Sequence, residues 1–269
     1  RAADRPRRLA PGGGASSAFD VAILSGGDAA RVEMDPFPHV VGADTVGGGR
    51  CLELTRAFPA FPGVEGAPGH KKFLRRSVEL LADDQLPDVW RRAILDDLGP
   101  AAWLEWIRLF GRAARREYPE LERRGPLERW RVGQRRRDDP AGRDVLLDAQ
   151  LGIHAAAASA GVERGPHVKG PNKLFEGQWF LRAEDDDAAG AELVLFAPRP
   201  GARVAFGARN QVDPASVEPV RTYPYRRSLL VAFLNTPRSI VQVASRGPSA
   251  RPLQFLGFLA EMADPLFPL

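Results

Sequence analysis

Apolar residues recur at two different spacings along this chain. Through the middle they fall on one helical face. Leu86 to Leu98 carries Trp90, Ile94 and Leu98 four apart, and Pro100 to Tyr118 carries Trp103, Ile107, Phe110 and Ala114, with Pro119 closing the run. Both segments are predicted helices, and their tryptophans read as core rather than as a ligand cage. A shorter helix is predicted over Thr45 to Phe58, with Leu52, Leu54 and Phe58 apolar and Pro59 as its stop. Pro36 to Val41 reads as a strand entry, and residues 63 to 69 read as a loop.

From Asp144 onward the spacing shortens to β segments broken by Gly and Pro. The candidates are Val145 to Ile153, Gln178 to Arg182, Glu192 to Ala197, Arg203 to Phe206, Val217 to Tyr223, Ser228 to Leu234, Ser239 to Val243 and Leu253 to Ala260. Short strands with regular turn signals predict a sandwich or jelly roll. The fold class is therefore α+β, mainly β: a jelly roll flanked by N-terminal helices. Residues 1 to 18, rich in Arg, Pro, Gly and Ala, are expected to be a disordered arm, with structure beginning near Phe19. Residues 19 to 269 are expected to form one domain, with a helical front over 45–130 and a jelly-roll core over 144–262.

Composition narrows the function. The chain has 269 residues, 44% hydrophobic, enough for one sizeable core. Its formal net charge is +4, but the arginines are dispersed and no basic run is interleaved with aromatics, so no nucleic-acid partner is expected. The charged run Arg135 to Asp139 reads as a solvated turn. No apolar run approaches a membrane span and the start has no apolar signal core, so a cytoplasmic protein is expected. Cys51 is the only cysteine, which excludes an internal disulfide and cysteine-rich zinc sites. It reads as a small buried residue. No nucleophile elbow, P-loop or dinucleotide turn is present. Asp185-Asp186-Asp187 offers Ca²⁺ or Mg²⁺ ligands, and more simply a solvated acidic turn.

Several segments carry a resemblance. They are Arg164-Gly165-Pro166-His167-Val168-Lys169, Trp179-Phe180-Leu181-Arg182, Gly190-Ala191-Glu192-Leu193, Leu234-Asn235-Thr236-Pro237-Arg238 and Phe255-Leu256-Gly257-Phe258, with Asp35-Pro36-Phe37-Pro38-His39-Val40-Val41 at the front. In this order, over roughly residues 35 to 262, the chain resembles the prolyl-4-hydroxylase-like branch of the Fe(II)/2-oxoglutarate oxygenases. The resemblance implies a double-stranded β-helix, the cupin-like jelly roll. It also implies a facial triad of two histidines and one carboxylate holding iron at the barrel mouth. The family's cofactors are Fe(II) and 2-oxoglutarate, with ascorbate as reductant.

The family positions are mostly altered here. His167 matches the first histidine of the His-x-Asp motif. Lys169 stands at the carboxylate position and Val241 at the second histidine. Leu253 falls at the basic 2-oxoglutarate residue, with Arg251 two positions back. One of three iron ligands survives. A protonated lysine has no lone pair and valine has no donor at all. A substitute site of His154, His167 and Glu192, with Gln178 nearby, is conceivable, but His154 reads more simply as a polar residue lining a former cavity. His39 and His70 read as surface or structural residues.

The expected function is that of a former oxygenase which needs no cofactor and keeps its barrel mouth as a small-molecule site, a tailoring enzyme or pseudoenzyme relative. His167 and Lys169 are the candidate general acid and base, and His154, Arg246 and Arg251 the candidate substrate-binding residues for an anionic small molecule. Two alternatives stand beside it: an active dioxygenase with an unusual metal site, and a non-catalytic scaffold, whose sign would be a filled pocket. A homodimer is left open.

Overall fold

The computed structural model describes residues 23–26, 31–162 and 164–269. The expected disordered arm and the expected start near Phe19 lie outside them.

Ten strands among the described residues form two sheets. The strands are β1 (His39–Ala43), β2 (Lys72–Arg75), β3 (Val132–Gln134), β4 (Val145–His154), β5 (Lys173–Phe180), β6 (Leu193–Pro198), β7 (Val217–Tyr223), β8 (Leu229–Leu234), β9 (Ile240–Val243) and β10 (Leu253–Glu261). The major sheet runs β1-β8-β5-β10-β4-β2, with β3 added parallel to β4. The minor sheet runs β7-β6-β9. After β5 the chain crosses to the minor sheet, returns with β8, crosses again with β9 and returns with β10. That alternation between two facing, mainly antiparallel sheets is a jelly roll.

Among the described residues four α-helices precede β4: α1 (Gly48–Arg56), α2 (Ser77–Leu81), α3 (Asp88–Asp96) and α4 (Pro100–Glu117). Gly99 precedes α4 and Pro100 opens it, where proline's missing N–H has no helical partner to lose. The apolar stripe of α4 buries Trp103, Trp106, Ile107, Phe110 and Ala114. These join Leu147, Leu151, Phe175, Trp179, Leu256 and Phe258 in one core, so the helices cover the outer face of the major sheet. Trp106 stacks on Phe175 with ring centroids 5.2 Å apart. A second cluster, with Phe180, Leu193, Leu195, Val231, Val241, Leu253 and Phe255, fills part of the space between the sheets.

The predicted helices and most predicted strands form, with β7 matching residue for residue. Arg203 to Phe206 does not form a strand. Only Phe206 bridges, to Val212, across a tight hairpin in which Arg209 and Asn210 are left-handed. The helical front is less purely helical than its pattern suggests, because β2 and β3 both add to the major sheet. Cys51 is fully buried, and burial pushes its thiol pKa up. Asp148, 1% exposed on β4, ties down the start of α2 by accepting from the Ser77 backbone N–H at 3.0 Å and hydroxyl at 2.6 Å.

Gly152 on β4 sets the shape of the inner face. A Cβ there would stand 2.0 Å from Phe255 Cζ. The Phe255 ring therefore lies flat over a position that only glycine leaves open. Gly152→Ala is expected to destabilise the protein by about 1–3 kcal/mol through overpacking. Adding Phe255→Leu, which withdraws the ring, should return much of that loss. Urea denaturation of the two single variants and the double variant checks this. Additive losses would show that the ring does not rest on Gly152.

A cationic cavity between the sheets

A cavity of about 480 Å³ opens between the two sheets. The period-two alternation of β5 builds one wall. Phe175 and Trp179 point to the helices, while Glu176 and Gln178 face the cavity. Gln150 and His154 come from β4, Leu253 and Phe255 from β10, Leu193 from β6, and Val241 and Val243 from β9. The segment carrying His167 and Lys169 lies at the mouth, beside the hairpin that carries Arg209 and Asn210.

His167 sits directly opposite Val241. The His167 N–H donates to the Val241 carbonyl at 3.0 Å, and the Val241 N–H donates back at 2.9 Å. The two positions matched to the family's histidines are thus adjacent, as the resemblance implies. Lys169 turns its ammonium to Glu176 at 2.7 Å, and Lys173 takes the other carboxylate oxygen at 2.8 Å. Glu176 is the residue that sequence reasoning missed. Its isolated charge in an apolar strand was the only available signal. Burial favours its protonated form, but the two ammonium groups outweigh that and hold the carboxyl well below the usual carboxylate range.

Both inner histidines are neutral. Burial, reinforced by Lys169, lowers His167 to about 3. Burial, reinforced by Lys72, His70, Arg246 and Lys169, lowers His154 to about 3. His167 Nδ1 lies 3.0 Å from the Gly165 carbonyl, which can only accept, so Nδ1 carries the proton and Nε2 keeps its lone pair. His154 packs edge-on to Phe255.

The other candidates divide. Arg246 lines the cavity, but its guanidinium is committed: to Asp186 at 2.8 Å, to the Arg251 carbonyl at 2.7 Å and to Ser249 at 3.1 Å. It braces the wall. Arg251 does not reach the cavity. It is exposed and ion-paired with Asp185, on the bend two residues before β10. Asp186 is buried against Arg246, so the acidic turn is only partly solvated. Leu253 is buried on β10, opposite His154. Glu192 lies outside the cavity lining, and among the described residues no group of three His, Cys, Asp or Glu could hold a metal. The His154–His167–Glu192 site therefore does not assemble. His39 is structural, buried with Nε2 2.7 Å from the Tyr223 hydroxyl, whereas His70 reaches the cavity rim.

The residues at the iron positions do not fit iron. One neutral imidazole offers one lone pair, Val241 offers none, and Lys169 brings a positive charge.

The architecture is thus a jelly roll with a cationic cavity between its sheets, and it is similar to solved Fe(II)/2-oxoglutarate oxygenases. A prolyl-4-hydroxylase from Pseudomonas putida aligns at a TM-score of 0.44 and 11% identity, over 87% of this chain and 98% of that one. A prolyl 4-hydroxylase from Phytophthora capsici aligns at 0.43 and 13%, over 90% of this chain and 65% of that one. A Trichoplax adhaerens prolyl hydroxylase, solved with a hypoxia inducible factor peptide, aligns at 0.43 and 9%, over 87% and 88%. No protein-family model matches the chain, and no curated protein matches it significantly. No described helix is long and apolar enough to cross a membrane.

The depressed histidines make stability pH-dependent. Between about pH 6.5 and about pH 3 the unfolded chain binds protons at His154 and His167 that the folded chain refuses, so stability falls as pH drops below about 6.5. At pH 5 each histidine should cost about 2 kcal/mol relative to pH 7. Denaturation midpoints at the two pH values check this. His154→Gln should shrink the difference by roughly one histidine's share, and an unchanged difference would contradict a neutral, buried His154.

Proposed function

We propose that this chain is an oxygenase-fold protein that works without iron and uses the cavity between its sheets for a small anionic molecule. The observation that carries this reading is the set of side chains at the three family ligand positions. His167 and Val241 face each other in register, and the third position holds a lysine ion-paired to Glu176. The cavity remains open at about 480 Å³, within the range of small-molecule sites, which favours a ligand over a filled scaffold.

The chemistry open to this site is proton transfer. Lys169 and Lys173 share one carboxylate and leave one positive charge to hold an anion. His167 Nε2 is placed to take a proton from the bound molecule and return it, while Nδ1–H stays anchored on the Gly165 carbonyl. The negative charge left on the ligand lies beside Lys169. A bound anion also opposes the field of Lys169 on His167 and raises the imidazole's basicity toward its working range. The protein is then a cofactor-independent tailoring enzyme for a small acid.

Anaerobic titration with Fe(II) and 2-oxoglutarate tests the iron-free reading. The unmodified protein is expected to show no visible charge-transfer band and no stoichiometric iron. The double variant Lys169→Asp/Val241→His rebuilds two imidazoles and a carboxylate around one point and is expected to bind Fe(II), whereas Lys169→Asp alone should bind only weakly. Stoichiometric iron with oxoglutarate turnover in the unmodified protein would overturn the reading.

A further inference from the structure

Among the described residues, six lysines and arginines line the cavity, Lys72, Arg164, Lys169, Lys173, Arg209 and Arg246, against one carboxylate, Glu176. Most are engaged. Lys169 and Lys173 share Glu176, Arg246 is held by Asp186, and the Lys72 ammonium lies 5.0 Å from the centroid of the Phe255 ring. Arg164 is engaged as well. Arg209 alone has a side chain with no ion pair, hydrogen bond or ring contact among the described residues. It is exposed, and its backbone is left-handed (φ 57°), as is that of Asn210 (φ 58°). Asparagine tolerates that conformation and glycine adopts it freely, whereas arginine gains nothing there. The position holds an arginine against its backbone preference, with an unoccupied guanidinium at the cavity mouth.

The hairpin that carries Arg209 lies in register against the His167 segment. The Val168 N–H donates to the Asn210 carbonyl at 3.0 Å and the Val212 N–H to the Pro166 carbonyl at 2.9 Å, with His167 opposite Gln211. The same antiparallel register, carried one step past Val168 and Asn210, sets Lys169 across from Arg209. Lys169 and Lys173 leave one positive charge over after Glu176, and Arg209 adds a second beside it. A carboxylate would neutralise only one of the two. A phosphate monoester carries about −1.5 to −2 near neutral pH and offers three acceptor oxygens. A guanidinium fork grips two such oxygens, and an ammonium meets the third as a point charge. Behind the mouth the walls are mixed, with Gln150, Gln178 and His154 beside Val241 and Phe255, and they leave room for an organic body.

From this arrangement we infer that the cavity takes a small organic phosphate monoester, with its dianionic head between Arg209 and Lys169, and that Arg209 is the residue that selects a dianion over a monoanion. This rests on the anion-binding reading above and adds the charge of the head group and the side chain that reads it. No bond to phosphorus forms or breaks in this scheme.

Calorimetric titration of the intact protein with butyl phosphate, butyl sulfate and pentanoate tests it. The three share a four-carbon chain, and only the first carries a second charge. Butyl phosphate should bind about tenfold tighter than butyl sulfate, the worth of one further charge-assisted contact. Arg209→Ala should remove that preference, and Arg209→Lys, which keeps the charge without the fork, should retain part of it. Lys169→Gln should weaken all three. Without ligand, Arg209→Gly should melt about 2–4 °C above Arg209→Ala, since both lose the guanidinium and only glycine relieves the left-handed backbone. If none of the three anions binds, or Lys169→Gln changes nothing, the anion reading itself falls. If they bind through Lys169 but butyl sulfate matches butyl phosphate, or Arg209→Ala keeps the preference, the anion reading stands and the dianion is overturned. If Arg209→Gly melts no higher than Arg209→Ala, or both melt far below the unmodified protein, the hairpin does not hold Arg209 for a ligand and that role is overturned.

Discussion

Neither face of strand β5 lies on the outer surface of the protein, and the rest of the site follows from that constraint. Its outward residues, Phe175 and Trp179, lie under the helices, with Trp106 stacked on Phe175. Its inward residues, Glu176 and Gln178, have nowhere to go but the space between the sheets. A carboxylate placed there is stable only with cations against it. Lys173, three residues earlier on the same strand, supplies one, and Lys169, from the segment lying across the mouth, supplies the other. The helices thus set the chemistry of a cavity they do not touch.

The amount of this that could be read from sequence follows the strength of each local pattern. The helices around Trp90 and Trp103 were legible because a stripe of large apolar side chains repeats at helical spacing. β7 was legible because Pro214 and Pro224 bracket an extended run, with Pro219 inside it at a register shift. β2 was not: Lys72-Phe73-Leu74-Arg75 is half polar and sits at a sheet edge, where packing rather than propensity decides. β5 begins at Lys173, five residues before its predicted start, since Lys173 and Glu176 look like surface charges until each is seen holding the other.

In the site, the pairing of His167 with Val241 was legible only through the resemblance, since no local pattern joins residues so far apart in the chain. The commitment of Arg246 to Asp186, and of Arg251 to Asp185, could not be read. Which of two arginines on one turn faces inward depends on the path of a loop, not on residue type. The acidic triplet misled for the same reason: Asp185 and Asp187 are exposed while Asp186, between them, is buried.

The depth of the Lys169–Glu176–Lys173 set also separates two rates. Dissolved ions screen charges that water reaches and leave buried pairs largely unaffected. Arg209, exposed at the mouth, belongs to the first kind, and the three groups below it to the second. Added salt therefore slows the arrival of an anion at the rim more than it hastens departure from the interior. On the anion-binding proposal, a ligand would be gathered by a charge exposed at the rim and held by charges that are partly buried.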